Sequence, residues 1–219
     1  MSDRKNRKIL FAVVLVVLLG VVWYEFGSTE RRLLQQMKSS NPDDRYAAIR
    51  GLEQVGSTKA IAAIEEHIND ADQRVASRAI VAMGVLGRQE PVKKLEKVTT
   101  DARIAAREAA AVALGRSPAA LQVDYQVLVN QLSGDQSPIV RAAAASALGR
   151  RHAVEALPAL IAALGDPDIA VRQRVGEAIR LISKQPLEFP PAGTEEERQQ
   201  AAERIQAWWN SSGLAASKK

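Results

Sequence analysis

A short phrase that combines small and large apolar residues recurs along most of the chain. The phrase begins at Arg45, Ala76, Arg107, Arg141 and Arg172, so successive starts lie 31, 31, 34 and 31 residues apart. In each unit the fourth and seventh positions carry Ala, Gly or Val, and the eighth carries Leu, Met or Ile. Offsets of three and four residues put these positions on one face of a helix. A period of about 20–50 residues is typical of a solenoid, in which each unit buries its apolar face against its neighbours.

A second apolar helical segment precedes each of these helices. In the second unit Ile61, Ile64 and Ile68 form one apolar stripe. The corresponding residues of the other units are Leu33, Leu34, Met37, Val92, Leu95, Leu128, Leu132, Leu157, Leu160 and Leu164. Each unit is therefore predicted to be a pair of helices, a helix A followed by the helix B that carries the phrase.

Polar residues recur at the turn between helix A and helix B. The residues predicted to cap helix B are Asn41, Asp72, Ser137 and Asp168, and Arg103 takes this place in the third unit. An aspartate stands six residues before the phrase at Asp70, Asp101, Asp135 and Asp166. The first residue of the phrase is arginine in four of the five units. This spacing predicts a polar ladder of Asp–Arg pairs within and between units. We also predict that Gly84, Gly87, Gly115 and Gly149 terminate helices.

The paired helices, the Asp/Arg spacing and two particular phrases resemble HEAT repeats. The phrases are IVRAAAASALGRR at 139–151 and EALPALIAALGDPDIAVR at 155–172. They are most similar to the short HEAT-like repeats of bacterial proteins and of phycobilisome lyases, and the resemblance covers residues 28–183. It implies an all-α, right-handed α-solenoid of five helix pairs that serves as a binding scaffold. It also leaves open a phycobilin-lyase-like accessory role.

The N-terminal region predicts a membrane anchor. Residues 9–24 carry no charge and follow the basic tail 1–8. Sixteen helical residues span about 24 Å of the roughly 30 Å hydrocarbon core, and extension to Phe26 closes most of the difference. We predict a transmembrane signal anchor at 9–26. The alternatives are a cleaved signal peptide that releases a secreted solenoid and a buried core helix, which the basic flank disfavours. The basic tail favours a cytoplasmic N-terminus, which in a bacterium places the solenoid on the periplasmic side of the inner membrane.

The C-terminal region predicts a linker, a cap and a tail. Residues 184–193 include three prolines, so no helix should cross them. Thr194 and Glu197 have the spacing of a capping box and open a helix at 194–212. We expect this helix to fold back on the fifth pair, and we expect 213–219 to be disordered. Trp208 and Trp209 on this helix pack in the cap or anchor a partner.

Charge and chemistry exclude several functions. The formal net charge is +5, and residues 27–219 carry 26 basic and 23 acidic side chains, which is too mild for nucleic-acid binding. There are no cysteines, and the two histidines, His67 and His152, stand 85 residues apart. No phosphate-binding loop or nucleophile elbow is present in the sequence. We expect no catalytic, cofactor or metal site, and hence no enzyme.

The residues outside the repeat pattern are the candidates for partner binding. Because the ladder residues follow the structural period, arginines out of register are better placed to contact a partner. These candidates are Arg50, Arg78, Arg116, Arg150, Arg174 and Arg180, together with Trp208 and Trp209. Several of the arginines are expected on the helix B surface, which would suit an acidic segment of a protein partner. The sequence thus predicts a non-enzymatic, membrane-anchored protein-binding scaffold.

Overall fold

The computed structural model describes residues 11, 14–15, 27–87, 89–118 and 125–212. All regular secondary structure in these ranges is helical. We number the helices α1 (27–36), α2 (Pro42–Gln54), α3 (Ile61–Glu65), α4 (Gln73–Leu86), α5 (Gln89–Val98), α6 (Ile104–Arg116), α7 (Gln126–Gly134), α8 (Pro138–Arg150), α9 (Leu157–Ala162), α10 (Ile169–Ser183) and α11 (Glu195–Ser211). Short 3₁₀ turns precede α3 at Thr58–Ala60 and flank α9 at Val154–Ala156 and Ala163–Gly165.

The helices form the two stacked layers that the repeat predicts. The B layer consists of α2, α4, α6, α8 and α10, each packed against the next. The A layer contains α1, α3, α5, α7 and α9. Each of α3, α5, α7 and α9 packs against the B helix that follows it. The core lies between the layers, where residues of the repeated stripe such as Ala48, Ala79 and Leu148 have no exposed surface.

Three glycines of the phrase do not terminate helices, and that prediction is wrong. Gly84, Gly115 and Gly149 lie within the last turns of α4, α6 and α8. A Cβ atom on Gly115 would lie 2.7 Å from the Cα atom of Ala147 in the next B helix. Gly84 and Gly149 face the next helix at a similarly close approach. The glycines are therefore needed because adjacent B helices nearly touch. Gly87 does lie at the end of α4, in extended backbone.

The predicted helix caps are largely present. Asn41, Asp72 and Asp168 each accept a hydrogen bond from a backbone amide in the first turn of their B helix. Ser137 occupies the capping position of α8, but its side chain makes no capping hydrogen bond. Arg103, the exception in the sequence, also makes none. Each B helix therefore begins where the polar residues of the turn predict.

The C-terminal helix α11 begins at the predicted capping box. The Thr194 hydroxyl accepts a hydrogen bond from the Glu197 amide at 3.2 Å, and the Glu197 carboxylate accepts one from the Thr194 amide at 2.8 Å. The helix packs against α9 and the 3₁₀ turn that follows it, so it continues the A layer. Ala201, Ile205 and Trp209 form its buried face.

An extended segment closes the B layer. We call residues 185–192 the strap. It lies against Arg172, Gly176 and Arg180, which occupy the first, fifth and ninth positions of the phrase on α10. In the earlier units the first and ninth positions contact the next unit. The strap therefore takes the place of a sixth B helix. The Phe189 ring lies 3.7 Å from where a Cβ atom on Gly176 would stand.

The predicted N-terminal anchor lies largely outside the described residues. Phe11, Val14 and Leu15 are helical and exposed, and the rest of 9–26 is not among the described residues. In the part of the chain that is described, no helix is both long enough and apolar enough to span a bilayer. The predicted tails 1–8 and 213–219 also lie outside the described residues.

Candidate partner-binding groove

The outer surface of three consecutive B helices forms an open groove. It is lined by α6, α8 and α10 and has a volume of about 900 Å³. Its floor consists of short side chains that are half-buried, namely Val112, Ala142, Ala143 and Ser146. We call this surface the B-face groove. Ala142 and Ala143 stand four and three residues before Ser146 along α8, so all three share one face of the helix.

Three of the six candidate arginines line this groove. Arg116 and Arg150 are the last residues of α6 and α8, and both are exposed. Arg150 has no ion-pair partner among the described residues, whereas Arg116 forms an ion pair at 3.8 Å with Glu53, the same carboxylate that pairs with Arg78. Arg174 pairs with Glu177 on the same helix at 2.9 Å, and this pair is solvent-exposed. An exposed pair of this kind contributes little to stability, so Arg174 can exchange its partner at low cost.

The other three arginines lie elsewhere. Arg78 forms an ion pair with Glu53, whose side chain is only 9% exposed, so its charge is already matched inside the protein. Arg50 is exposed on α2, away from the groove. Arg180 is exposed beside the strap, in a second cleft on α10. The structure thus brings together Arg116, Arg150 and Arg174 but not the complete predicted set.

Three exposed isoleucines at the starts of these helices were missed from the sequence. Ile104, Ile139 and Ile169 are 50%, 57% and 44% exposed, and each lies in the first turn of its B helix. Ile139, the second residue of α8, lines the groove, whereas Ile104 and Ile169 are the first residues of α6 and α10 and are not part of the groove lining. An apolar residue in the first turn was the available signal, but only the packing shows that it remains exposed.

The predicted Asp–Arg ladder is present and is structural. Arg107 donates from Nε and Nη2 to the Asp135 carboxylate of the next unit at 2.6 and 2.9 Å. The same guanidinium donates through Nη1 to the carbonyl of Asp101 at 2.9 Å. The pairs Arg45–Asp70 and Arg141–Asp166 repeat this geometry. Because these side chains are nearly buried and fully bonded, they are not available to a partner.

The ladder lowers the pKa values of its carboxyl groups. The hydrogen bond from Arg107 holds the pKa of Asp135 below its ordinary value, although partial burial opposes the shift. The second unit has Ala76 instead of arginine, and there Arg103 binds Asp101 and lowers its pKa to about 2. At the other end Arg172 lacks a following aspartate and donates instead to the Pro191 carbonyl of the strap at 2.9 Å.

The two tryptophans differ in exposure. The Trp209 side chain is buried, with 6% of the residue exposed, whereas Trp208 is half-buried. Their ring centroids are 6.5 Å apart, with the planes tilted by 47°. Trp209 therefore packs in the cap, and Trp208 keeps part of its ring accessible.

Metal-binding groups are not clustered in the described part of the chain. There, no three residues among His, Cys, Asp and Glu lie close enough together to hold a metal ion. His67 Nδ1 lies 3.9 Å from the Asp70 carboxylate, and His152 is exposed in a turn with a φ of 49°.

Comparison with known proteins identifies the family. Residues 30–115 and 125–205 match the family model described as HEAT repeats, and the chain belongs to this family. A crystal structure of an engineered protein shares the fold, with a TM-score of 0.53 and 22% sequence identity, covering 84% of this chain and 97% of its own. Human deoxyhypusine hydroxylase in complex with glycerol matches at a TM-score of 0.43 and 18% identity, over 71% of this chain and 74% of its own. No curated protein was found to match the sequence.

Proposed function

We propose that the protein is a non-enzymatic scaffold that holds an acidic segment of a protein partner in the B-face groove. The observation that carries this proposal is the convergence of Arg116, Arg150 and Arg174 on one groove. A solenoid of stacked helix pairs presents such a surface rigidly, because each helix is fixed by its neighbours. HEAT repeats commonly mediate protein interactions, and this role fits the fold.

The unpaired charge of Arg150 in the groove favours an acidic partner. Glu108 and Asp168 also line it, but the Asp168 carboxylate accepts hydrogen bonds from the Ala170 and Val171 amides. Arg150 is left with no carboxylate partner among the described residues. A carboxylate arriving from a partner would therefore form a charge-assisted hydrogen bond without displacing a structural one.

The proposal includes attachment to a membrane through residues 9–26. The uncharged segment and its basic tail support a single-pass anchor, with the solenoid on the periplasmic side of a bacterial inner membrane. Anchoring would hold the groove close to the bilayer and so favour partners at the same surface. Intact-mass measurement of the mature protein tests this step. Loss of about 25 residues would mean a cleaved signal peptide and a released solenoid.

Charge reversal in the groove tests the binding proposal. The double substitution Arg150→Glu and Arg174→Glu should strongly reduce the yield of a partner that is crosslinked in native membranes and identified after purification. Lys59→Glu with Lys97→Glu is the matched control, because both lysines are exposed and lie outside the groove. An unchanged partner yield in the groove variant would refute the assignment. Bilin transfer after co-expression with a pigment acceptor would instead establish the lyase-like role.

A further inference from the structure

One edge of the stack, formed by the ends of the B helices and the starts of the A helices, carries exposed cations. We call it the basic edge. Arg180 lies in the last turn of α10, and Lys184 is the C-cap of that helix. None of the cations at this edge outside the B-face groove forms an ion pair with a described residue. These exposed cations include Arg31, Arg32, Arg50, Arg180 and Lys184.

The first helix begins at the basic edge. The hydroxyl of Ser57, in the turn after α2, donates a hydrogen bond to the Glu30 carboxylate in the first turn of α1. A Cβ atom on Gly51, in the last turn of α2, would lie 2.9 Å from a methyl group of Leu33. The start of α1 therefore lies beside the end of α2. The predicted anchor at 9–26 ends one residue before α1, so it would reach the protein at this edge.

The carboxylates of the basic edge do not balance its cations. Glu30 is bonded to Ser57, and Glu53 is paired with Arg78. The carboxylate of Glu90 lies 3.9 Å from Lys93. Glu155 is the exposed carboxylate at this edge that has no ion-pair partner among the described residues. The edge therefore has an excess of unpaired positive charge.

The opposite edge of the stack has no such excess. There the Asp–Arg ladder pairs its charges at every step, as in Arg107–Asp135. The first turn of α11 adds three carboxylates, those of Glu195, Glu196 and Glu197. The two long edges of the solenoid thus differ in charge.

Helix electrostatics accounts for only part of the basic edge. A cation near the C-terminus of a helix interacts favourably with the helix dipole, which explains Arg180. Arg31 and Arg32 lie in the second turn of α1, where the dipole offers no such benefit. Their exposed, unpaired charge next to the predicted anchor needs another explanation.

We propose that the basic edge rests on an anionic phospholipid surface, so that the solenoid lies on its side along the bilayer. This inference rests on the membrane attachment proposed above. Each basic residue at an anionic surface strengthens binding by about fivefold. Weak contacts of this kind suffice for an anchored domain, because the anchor already holds it at a high effective concentration beside the lipid.

The two ends of the strap provide matched positions for a test. Gln185 follows Lys184 at the basic edge, whereas Ala192 follows Pro191, whose carbonyl accepts a hydrogen bond from Arg172 in the first turn of α10. Both residues are exposed. At about 8–10 Å per unit, both lie roughly 30–40 Å along the stack from the first unit. A label at either position therefore reports how the solenoid lies on the bilayer and not merely that the chain is anchored.

Spin-label relaxation in nanodiscs measures the distance to the lipid headgroups. The chain has no cysteine, so Gln185→Cys or Ala192→Cys gives a single site for a nitroxide. The full-length protein is placed in phosphatidylcholine nanodiscs that contain a trace of nickel-chelating lipid, with and without phosphatidylglycerol. With phosphatidylglycerol, nickel should accelerate relaxation at position 185 much more than at position 192. Without it, or at high salt, the effect at position 185 should be lost.

Neutral variants test the role of the cations. Arg180→Gln with Lys184→Gln removes two contacts and should shift the equilibrium away from the docked state by about 25-fold, which abolishes the nickel effect at position 185. Lys38→Gln with Lys97→Gln makes the same change of charge at the opposite edge, where one lysine follows α1 and the other lies in the last turn of α5. This control should keep the nickel effect.

The outcomes separate this inference from the membrane attachment on which it rests. Equal nickel effects at the two positions, or equal effects with and without phosphatidylglycerol, would overturn the docked edge. An effect that survives in the Arg180→Gln and Lys184→Gln variant would overturn it as well. A protein that enters the nanodiscs but shows no nickel effect keeps its anchor and loses only the docking. A full-length chain that does not enter them would refute both.

Discussion

Gly115 tests how closely the B helices approach each other. In Gly115→Ala the new Cβ atom would lie 2.7 Å from the Cα atom and 2.8 Å from the Cβ atom of Ala147. Carbon atoms in favourable contact are about 3.5–4.0 Å apart, so α6 and α8 must separate by several tenths of an ångström. Overpacking of this kind costs about 1–3 kcal/mol, which exceeds the roughly 1 kcal/mol that alanine gains over glycine as a helix former.

Gly176→Ala is the matched control for this prediction. Gly176 also lies within a B helix, but a Cβ atom there would meet only Phe189, at an ordinary contact distance of 3.7 Å. Alanine should therefore stabilise α10 by up to about 1 kcal/mol. Urea denaturation of the two variants should give unfolding free energies that differ by about 2 kcal/mol, with Gly115→Ala the less stable. If Gly115→Ala were as stable as Gly176→Ala, the close approach of the B helices would be refuted.

Three further predictions concern the ladder, the strap and the cap. The hydrogen bond from Arg107 lowers the pKa of Asp135 in the folded protein. The Arg107–Asp135 pair therefore stabilises the fold above the ordinary carboxyl pKa near 4, and this stabilisation is lost as the pH falls through the lowered pKa of the folded state. Asp135→Asn should therefore flatten the fall of the urea midpoint between about pH 5 and pH 2; an unchanged slope would show that the pair is not linked to acid unfolding. Arg172→Gln removes hydrogen bonds to three carbonyls, one of them on the strap, each worth about 1.5–3 kcal/mol when made by a charged group, and should make the strap more susceptible to limited proteolysis than the rest of the chain. Cleavage that is no faster in the strap than elsewhere would count against a locking role. Trp209→Ala should destabilise α11 by about 3–5 kcal/mol, and Trp208→Ala by clearly less, as seen in the protection of α11 amides; equal effects would contradict the buried position of Trp209.

The repeat made the all-helical architecture predictable. Positions four, seven and eight recur with the period of one helix pair, and in the structure all of them are buried except Gly51, which is half-buried. The ladder was predictable for the same reason, because Asp135 and Arg107 recur at fixed positions. The sequence did not reveal that Arg172 would bind the Pro191 carbonyl, since that contact depends on where an extended segment lies in space.

The predictions that failed or fell short involve contacts between units. Gly115 looks like a helix terminator when only its own helix is considered, and its contact with Ala147 belongs to the neighbouring unit. Arg78 looks available until Glu53, 25 residues earlier, is found beside it. The exposure of Ile139 could not be read from its type, because it depends on the packing of α8. The anchor at residues 9–26 stays a prediction.

Site-specific photocrosslinking tests most directly whether the B-face groove holds a partner. A photoreactive amino acid at Ser146, on the groove floor, would report on that surface, and one at Ala62, exposed on α3 of the A layer, serves as the control. After irradiation of native membranes, the account predicts one discrete crosslinked protein from position 146, with an acidic segment at the crosslinked site, and none from position 62. The same product from both positions, or a product from position 62 alone, would contradict it.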